Sequence, residues 1–322
     1  MRFPHRRLYR PLPPALSPLP ASVRVLVRGW LNCNQVVLLA PGDNVLVDSG
    51  YCTHRERTLE LLASPAGLDR APLERLINTH CHSDHMGGNA AVASAHGCRI
   101  TIPAGEAKHI EPWTSQGAWM ERFDQRADPF RFDDTIGAGD TFEAGGLHWE
   151  AHAAPGHDME ALMFFEPANR ILISGDALWE NGMGFVWPAH GANPFIAAAH
   201  QTLDAMERLA PALVIPGHGA PFAGVGAALA AVRSKLDAFA RDPAKNARHV
   251  VKVMFVFALL DRQSMPVSEV AEYLARIPCY RELAQSFLAM EAPALAPWLL
   301  GELERARAIE LRDGAAIPAM AA

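Results

Sequence analysis

The sequence predicts an α/β layered domain followed by a small, mainly helical C-terminal module. Three observations carry this. Between residue 23 and about residue 225, short apolar β-rich runs alternate with helix-like segments. Several of those runs end in a glycine followed at once by a histidine or an aspartate. Beyond "RDPAKNAR" the pattern changes to consecutive amphipathic helices and a closing hairpin. The chain therefore divides into a proline-rich N-terminal arm (1–22), a main domain (23–240) and a helical C-terminal module (241–322).

In the arm, five prolines between Pro11 and Pro20 interrupt what a signal peptide would need as a continuous apolar helix, so an extended segment is expected. "VRVLVRGWLNCNQVVLLAPGDNVLVDSG" then reads as strands broken by the turn-forming "PGDN". "HRERTLELLASPAGLDRAPLERLINTH" gives a helix, a Gly/Pro break and a strand over "LERLINTH". Further strands are predicted at "CRITIP", "LHWEAHAAP", "ALMFFEP", "RILISGD" and "ALVIPGH". Helices are predicted over 89–95, 194–209 and 227–240. The long aromatic stretch from Glu111 to Asp134 has no clear period, and a connection of that length is expected to act as a lid. The C-terminal module starts with a long apolar helix, continues through "PVSEVAEYLARI", "YRELAQSFLAM" and "APWLLGELERARAI", and ends in the strand-turn-strand "IELRDGAAIPA". That order is similar to a winged-helix module.

Composition excludes several classes of function. Half of the 322 residues are hydrophobic, enough for a sizeable core. The formal charge is −6, and the C-terminal module balances nine Lys/Arg against nine Asp/Glu from Pro243 onward. Such a chain cannot neutralise a phosphate backbone, so no nucleic-acid partner is expected and the module is assigned to packing or to a homodimer interface. The apolar run "VVKVMFVFALL" is too short and carries a lysine, so no membrane span is expected. The five cysteines have no paired spacing, which reads as reduced thiols and a cytoplasmic protein.

The chemistry concentrates in "NTHCHSDHMGGN". An apolar strand ends there, and in extended chain residues two apart point the same way, so His80 and His82 can converge on one ion. As the chain turns into a helix, Asp84 and His85 can face a second point, while Gly87 and Gly88 let that helix start close by. His157 in "AAPGHD", Asp176 in "LISGDAL" and His218 in "LVIPGHG" repeat the pattern of strand, glycine and ligand. Five imidazoles and two carboxylates suit zinc first, then iron or manganese. By contrast His5, His54, His96, His109 and His249 stand alone and read as ordinary surface or core histidines.

With these motifs over about residues 23–225, the chain resembles the metallo-β-lactamase superfamily, and "SGD" together with "HCHSDH" resembles its glyoxalase II-like branch. The resemblance implies a four-layer αβ/βα sandwich with two divalent metal ions at one edge. It implies that His80, His82 and His157 bind the first ion, that Asp84, His85 and His218 bind the second, and that Asp176 bridges them. Asp48 in "LVDSG" is expected to support the site without binding metal. The implied function is hydrolysis of an ester, thioester or lactone of small size through a metal-bound hydroxide, with Asp84 accepting the proton. Alternatives are a mononuclear-iron persulfide dioxygenase, and a nuclease or regulatory binding protein of the same fold. The loop from Ala177 to Gly191 offers Trp179, Phe185, Trp187 and His190 as substrate-binding residues, and the earlier long stretch adds Trp113, Trp119 and Phe123.

Overall fold

The structure, a computed structural model, describes residues 19–320. The expected proline-rich arm thus lies outside the described residues up to residue 18. The first sheet runs in spatial order β1 (Val23–Leu26), β2 (Gln35–Leu38), β3 (Val45–Val47), β4 (Arg75–Ile77), β5 (Arg99–Pro103) and β6 (Asp134–Ile136). Its first three strands pair antiparallel, and β3 to β6 pair parallel. The second sheet contains β7 (Thr141–Ala144), β8 (Leu147–Ala153), β9 (Leu162–Glu166), β10 (Ile171–Gly175) and β11 (Leu213–Pro216), ordered β11-β10-β9-β8-β7. Its β10–β11 pair is parallel and the rest are antiparallel.

Successive strand residues serve opposite layers, as the period of two demands. Val45, Val47 and Ile77 meet Leu162, Phe164, Ile171 and Ile173 between the sheets. Leu46, Leu76 and Ile100 point the other way, onto α1 (Arg55–Ala63), α2 (Ser83–Met86) and α3 (Asn89–His96) through Leu62, Met86 and Val92. The same face continues to α4 (Ala107–Ile110) and α5 (Thr114–Phe123). On the far side Met163, Phe165, Leu172 and Val214 pack on α6 (Pro194–Leu209) and α7 (Val225–Arg241). The result is the four-layer αβ/βα sandwich. Strands covered on both faces need apolar residues at every position, which is why they read as unbroken hydrophobic runs.

Two local expectations change. The strand expected over "LERLINTH" extends only over Arg75–Ile77, and the chain departs from the sheet after Asn78, whose N–H still donates to the Thr101 carbonyl at 3.0 Å. The aperiodic stretch 111–134 contains α5, and this segment is clasped rather than free. Arg122 pairs with Glu282 at 2.6 Å, Arg262 with Asp124 at 2.6 Å, and Tyr273 donates to Asp124 at 2.9 Å.

After α7, Asp242 caps α8 (Pro243–Arg262) by accepting from the Lys245 N–H at 2.9 Å, with Pro243 opening the helix. β12 (Met265–Pro266), α9 (Val267–Arg276), α10 (Pro278–Leu283), α11 (Ala292–Arg305), β13 (Ile309–Arg312) and β14 (Ala315–Pro318) follow. Their strands form a small antiparallel sheet in the order β12-β14-β13. Val250, Met254, Phe255, Leu274, Tyr280 and Leu299 make a separate core, and Phe123 of α5 enters it. No helix of the described residues is long and apolar enough to cross a membrane.

The fold depends on the layer between the sheets. Phe164→Ala removes a fully buried ring there. Urea titration should register a loss of about 3–5 kcal/mol in unfolding free energy.

Candidate metal centre

The ligand-type residues come from both sheets and meet at one edge. β4 delivers the extended segment with His80 and His82, and α2 starts at Ser83 and turns Asp84 and His85 inward. His157 follows β8, Asp176 follows β10 directly, and His218 follows β11 after Gly217. His82 Nδ1 lies 3.1 Å from His80 Nε2 and 2.8 Å from His157 Nε2. In the second set, His218 Nε2 is 3.0 Å from Asp84 Oδ2, and His85 Nε2 is 3.2 Å from Asp176 Oδ1. Asp176 faces both sets, since its Oδ2 lies 3.5 Å from His157 Nε2. Within each set the donor atoms lie within 4.8 Å of one another.

The donors fit cations. His85 Nε2 is buried without a hydrogen bond, although two carboxylates stand near it. The ring's other nitrogen, Nδ1, is 2.8 Å from Asp48 Oδ2, the arrangement that turns an imidazole's free nitrogen toward a metal. His80 Nδ1 is held by Thr79 Oγ1 at 3.1 Å, His157 Nδ1 donates to the Phe185 carbonyl at 2.5 Å, and His82 Nε2 faces Asp158 at 3.4 Å. Asp48 itself sits at φ 60°, a left-handed conformation uncommon for a non-glycine residue, and also accepts from Thr79 N and Oγ1, each at 2.8 Å. Asp48 thus contacts both His85 and Thr79 beside the cluster.

Charge follows the same logic. Burial and the neighbouring imidazoles hold His80 well below the usual histidine range, and burial with His157 brings His82 down to about 4. Burial works against the Asp176 charge, yet His85 and His218 hold its carboxyl well below the usual range. Neutral imidazoles beside ionised carboxylates are the protonation states that bind metal. His85 is the exception: against burial, Cys33, Asp176 and Asp48 hold it well above the usual range, so a proton there answers a demand for positive charge.

A cavity of about 360 Å³ opens over this cluster. His82, Asp84, His157, Asp176 and His218 form its floor, and Trp30, Trp119, Trp179 and Phe185 wall it. Trp119 stacks on His82 at 4.8 Å, and Trp30 on His218 at 5.5 Å. Trp179 also donates to Asp176 Oδ1 at 3.2 Å. Val253, Val256, Phe257 and Leu260 of α8, with Leu303 of α11, close the apolar side.

Two of the four expected substrate residues therefore line the cavity, Trp179 and Phe185. Trp187 and His190 do not. Trp187 lies under the Arg122 guanidinium at 4.8 Å, edge-on to Phe123, while His190 stacks on Phe287 and bonds the Ser286 carbonyl at 3.0 Å. Both turn toward the C-terminal helices because those helices offer the apolar surface. Of the weaker aromatic candidates Trp119 reaches the cavity, whereas Trp113 and Phe123 pack in cores. Sequence reasoning missed Trp30, Thr79, Asp158 and Cys33, although Thr79 and Asp158 adjoin ligand residues in "NTH" and "GHD".

A four-layer sandwich with a His/Asp cage spanning the edge of both sheets defines a class of metal-site proteins. The family follows from comparison: the Metallo-beta-lactamase superfamily profile matches residues 28–218, and the chain belongs to that superfamily. It is 30% identical over 148 residues to a hydroxyacylglutathione hydrolase of Hyphomonas neptunium, covering 43% of this chain and 50% of that protein. It is 25% identical over 175 residues to an acyl-coenzyme A thioesterase of Gallus gallus, covering 50% of this chain and 62% of that protein. The chain thus spans about half the length of the curated relatives it matches. A beta-lactamase domain protein from Burkholderia ambifaria aligns over 95% of this chain and 94% of its own, at 21% identity and TM-score 0.57, and so shares the fold.

Two glycines keep the cage closed. A Cβ on Gly184 would lie 2.5 Å from His157 Cγ, and one on Gly217 would collide with Asp176 Oδ1. Gly217→Ala should displace Asp176 and lower the metal content of purified protein by at least about half, measured by elemental analysis. Gly224→Ala, where nothing lies within 4 Å, should leave it unchanged.

Proposed function

We propose that the protein is a dinuclear-metal-dependent hydrolase of an acyl ester, thioester or lactone, holding zinc, or iron or manganese in its place. The observation that carries this is the Asp176 carboxylate, placed between a three-histidine set and a set of Asp84, His85 and His218. In this reading His80, His82 and His157 would hold one ion, Asp84, His85 and His218 the other, and Asp176 both. Such a pair, when bound, polarises an acyl carbonyl and makes hydroxide available near neutral pH. A second donor set containing two carboxylates favours two ions over the single iron of a dioxygenase.

The chain's own residues do the rest. Asp84 takes the proton of the attacking water, and Asp48 and Thr79 keep His85 and His80 in one orientation. Trp119, Trp179 and Phe185 exclude bulk water around the reacting carbonyl. The apolar residues of α8 and α11 receive the hydrocarbon part of a small-molecule substrate, which makes the segment 241–322 part of the binding site. The acyl-coenzyme A thioesterase among the relatives favours a thioester within this class.

Asp176→Asn keeps the side-chain volume and removes one of the cage's anionic charges. Metal content and hydrolysis should fall together, the rate on the order of 10³-fold or more, across a panel of thioesters, lactones and aryl esters. Wild-type protein that consumes oxygen with a persulfide and hydrolyses no panel member would refute the hydrolase.

A further inference from the structure

Next to the main cavity lies a second pocket of about 200 Å³. Trp30, Trp179, Phe185 and His218 line both, so the second pocket adjoins the candidate metal centre. Two further helices add Lys235 from α7 and His249 from α8, and the loop after β10 adds Glu180 and Asn181.

Lys235 is half-buried and forms no ion pair among the described residues. The charges near it on α7 are engaged elsewhere, Arg233 with Asp204 and Glu207, and Asp237 with His200. Its ammonium stands 5.6 Å over the Phe239 ring, and a Cβ on Gly182 would come within 3.9 Å of it. His249 stacks on Phe239 at 5.3 Å and makes no side-chain hydrogen bond among the described residues. Burial, then the charges of Lys235 and Lys252, push His249 down to about 3, so its ring is neutral. Lys252, the cation of the main cavity, is already paired with Glu302 at 3.4 Å. Glu180, the acidic residue in the lining, is exposed and forms no ion pair with Lys235.

We propose that this pocket is an anion subsite, in which Lys235, assisted by an N–H of His249, seats a compact carboxylate or phosphate of the substrate while its acyl carbonyl lies at the metal centre. The substrate class is thereby an acyl ester or thioester that carries an acidic group, with its apolar arm in the larger cavity. This rests on the hydrolase reading above. A partly desolvated ammonium without a counter-charge is unfavourable, and a charge-assisted hydrogen bond from an incoming anion restores what hydration it has lost. A volume of about 200 Å³ equals about seven waters at roughly 30 Å³ each, which accommodates either group.

The test uses the metal-loaded protein and non-hydrolysable thioethers that differ only in one terminal group, a carboxylate, a phosphate or a neutral carboxamide. Calorimetry should find one of the anions bound about tenfold or more tightly than the carboxamide, and the better anion identifies the group. Lys235→Gln should abolish that preference and Lys235→Arg should retain it. No preference in wild type, or an equal preference in Lys235→Gln, overturns the subsite. Inorganic phosphate that binds as tightly as the phosphate thioether, with Lys235-dependent affinity, overturns its assignment to the substrate. Absence of hydrolysis across the corresponding esters, with the charge preference intact, refutes the hydrolase and leaves the subsite standing. Hydrolysis without charge preference refutes the subsite alone.

Discussion

The carboxylate of Asp176 stands where the two sheets meet, with one oxygen near His157 and the other near His85 and His218. A buried anion in that position is tolerable only if positive charge faces it from both sides. The surrounding architecture follows from this requirement. Histidines from the end of β4, from α2 and from the ends of β8 and β11 converge on it, and Trp179 donates to it from above. Gly217 and Gly184 remain without side chains because any Cβ would enter the cage. Asp48 adopts a left-handed backbone to hold His85 and Thr79 together, placing local strain beside the functional site.

Outside the cage, the C-terminal segment belongs to the cavity as well as to its own core. α8 presents Val250, Met254 and Phe255 to that core and Val253, Val256 and Phe257 to the cavity. α5 links the two regions: Phe123 enters the C-terminal core while Trp119 covers His82. Ion pairs of Arg122, Asp124 and Arg126 with the C-terminal helices hold this arrangement, with Arg126 reaching Asp261 at 2.5 Å. The Arg122–Glu282 pair is exposed and contributes little by itself, whereas the Asp261 carboxylate is buried, and the apolar contacts of Phe123 and Trp119 add to the attachment. The stretch read as a lid is thus a wall, fixed by packing.

The sandwich and the His/Asp cluster were legible in the sequence because both follow local rules. A strand buried on two faces must be continuously apolar, and a ligand at its end must follow the last sheet residue closely. "LISGDAL" and "LVIPGHG" therefore announce Asp176 and His218 without knowledge of what surrounds them. The cavity wall was not legible. Trp187 and His190 occupy an irregular loop, where no period tells which way a side chain faces, and the direction came from the C-terminal helices against which they pack. His249 looked like an isolated histidine because its partner in the second pocket, Lys235, is on the preceding helix, and only the packing of α7 on α8 brings them together. Sequence by itself determined the chemistry of the cage, since its spacing lies within single strand ends. Tertiary structure alone decided what roofs it and which charges face its neighbour, since those contacts join residues that chain connectivity leaves far apart.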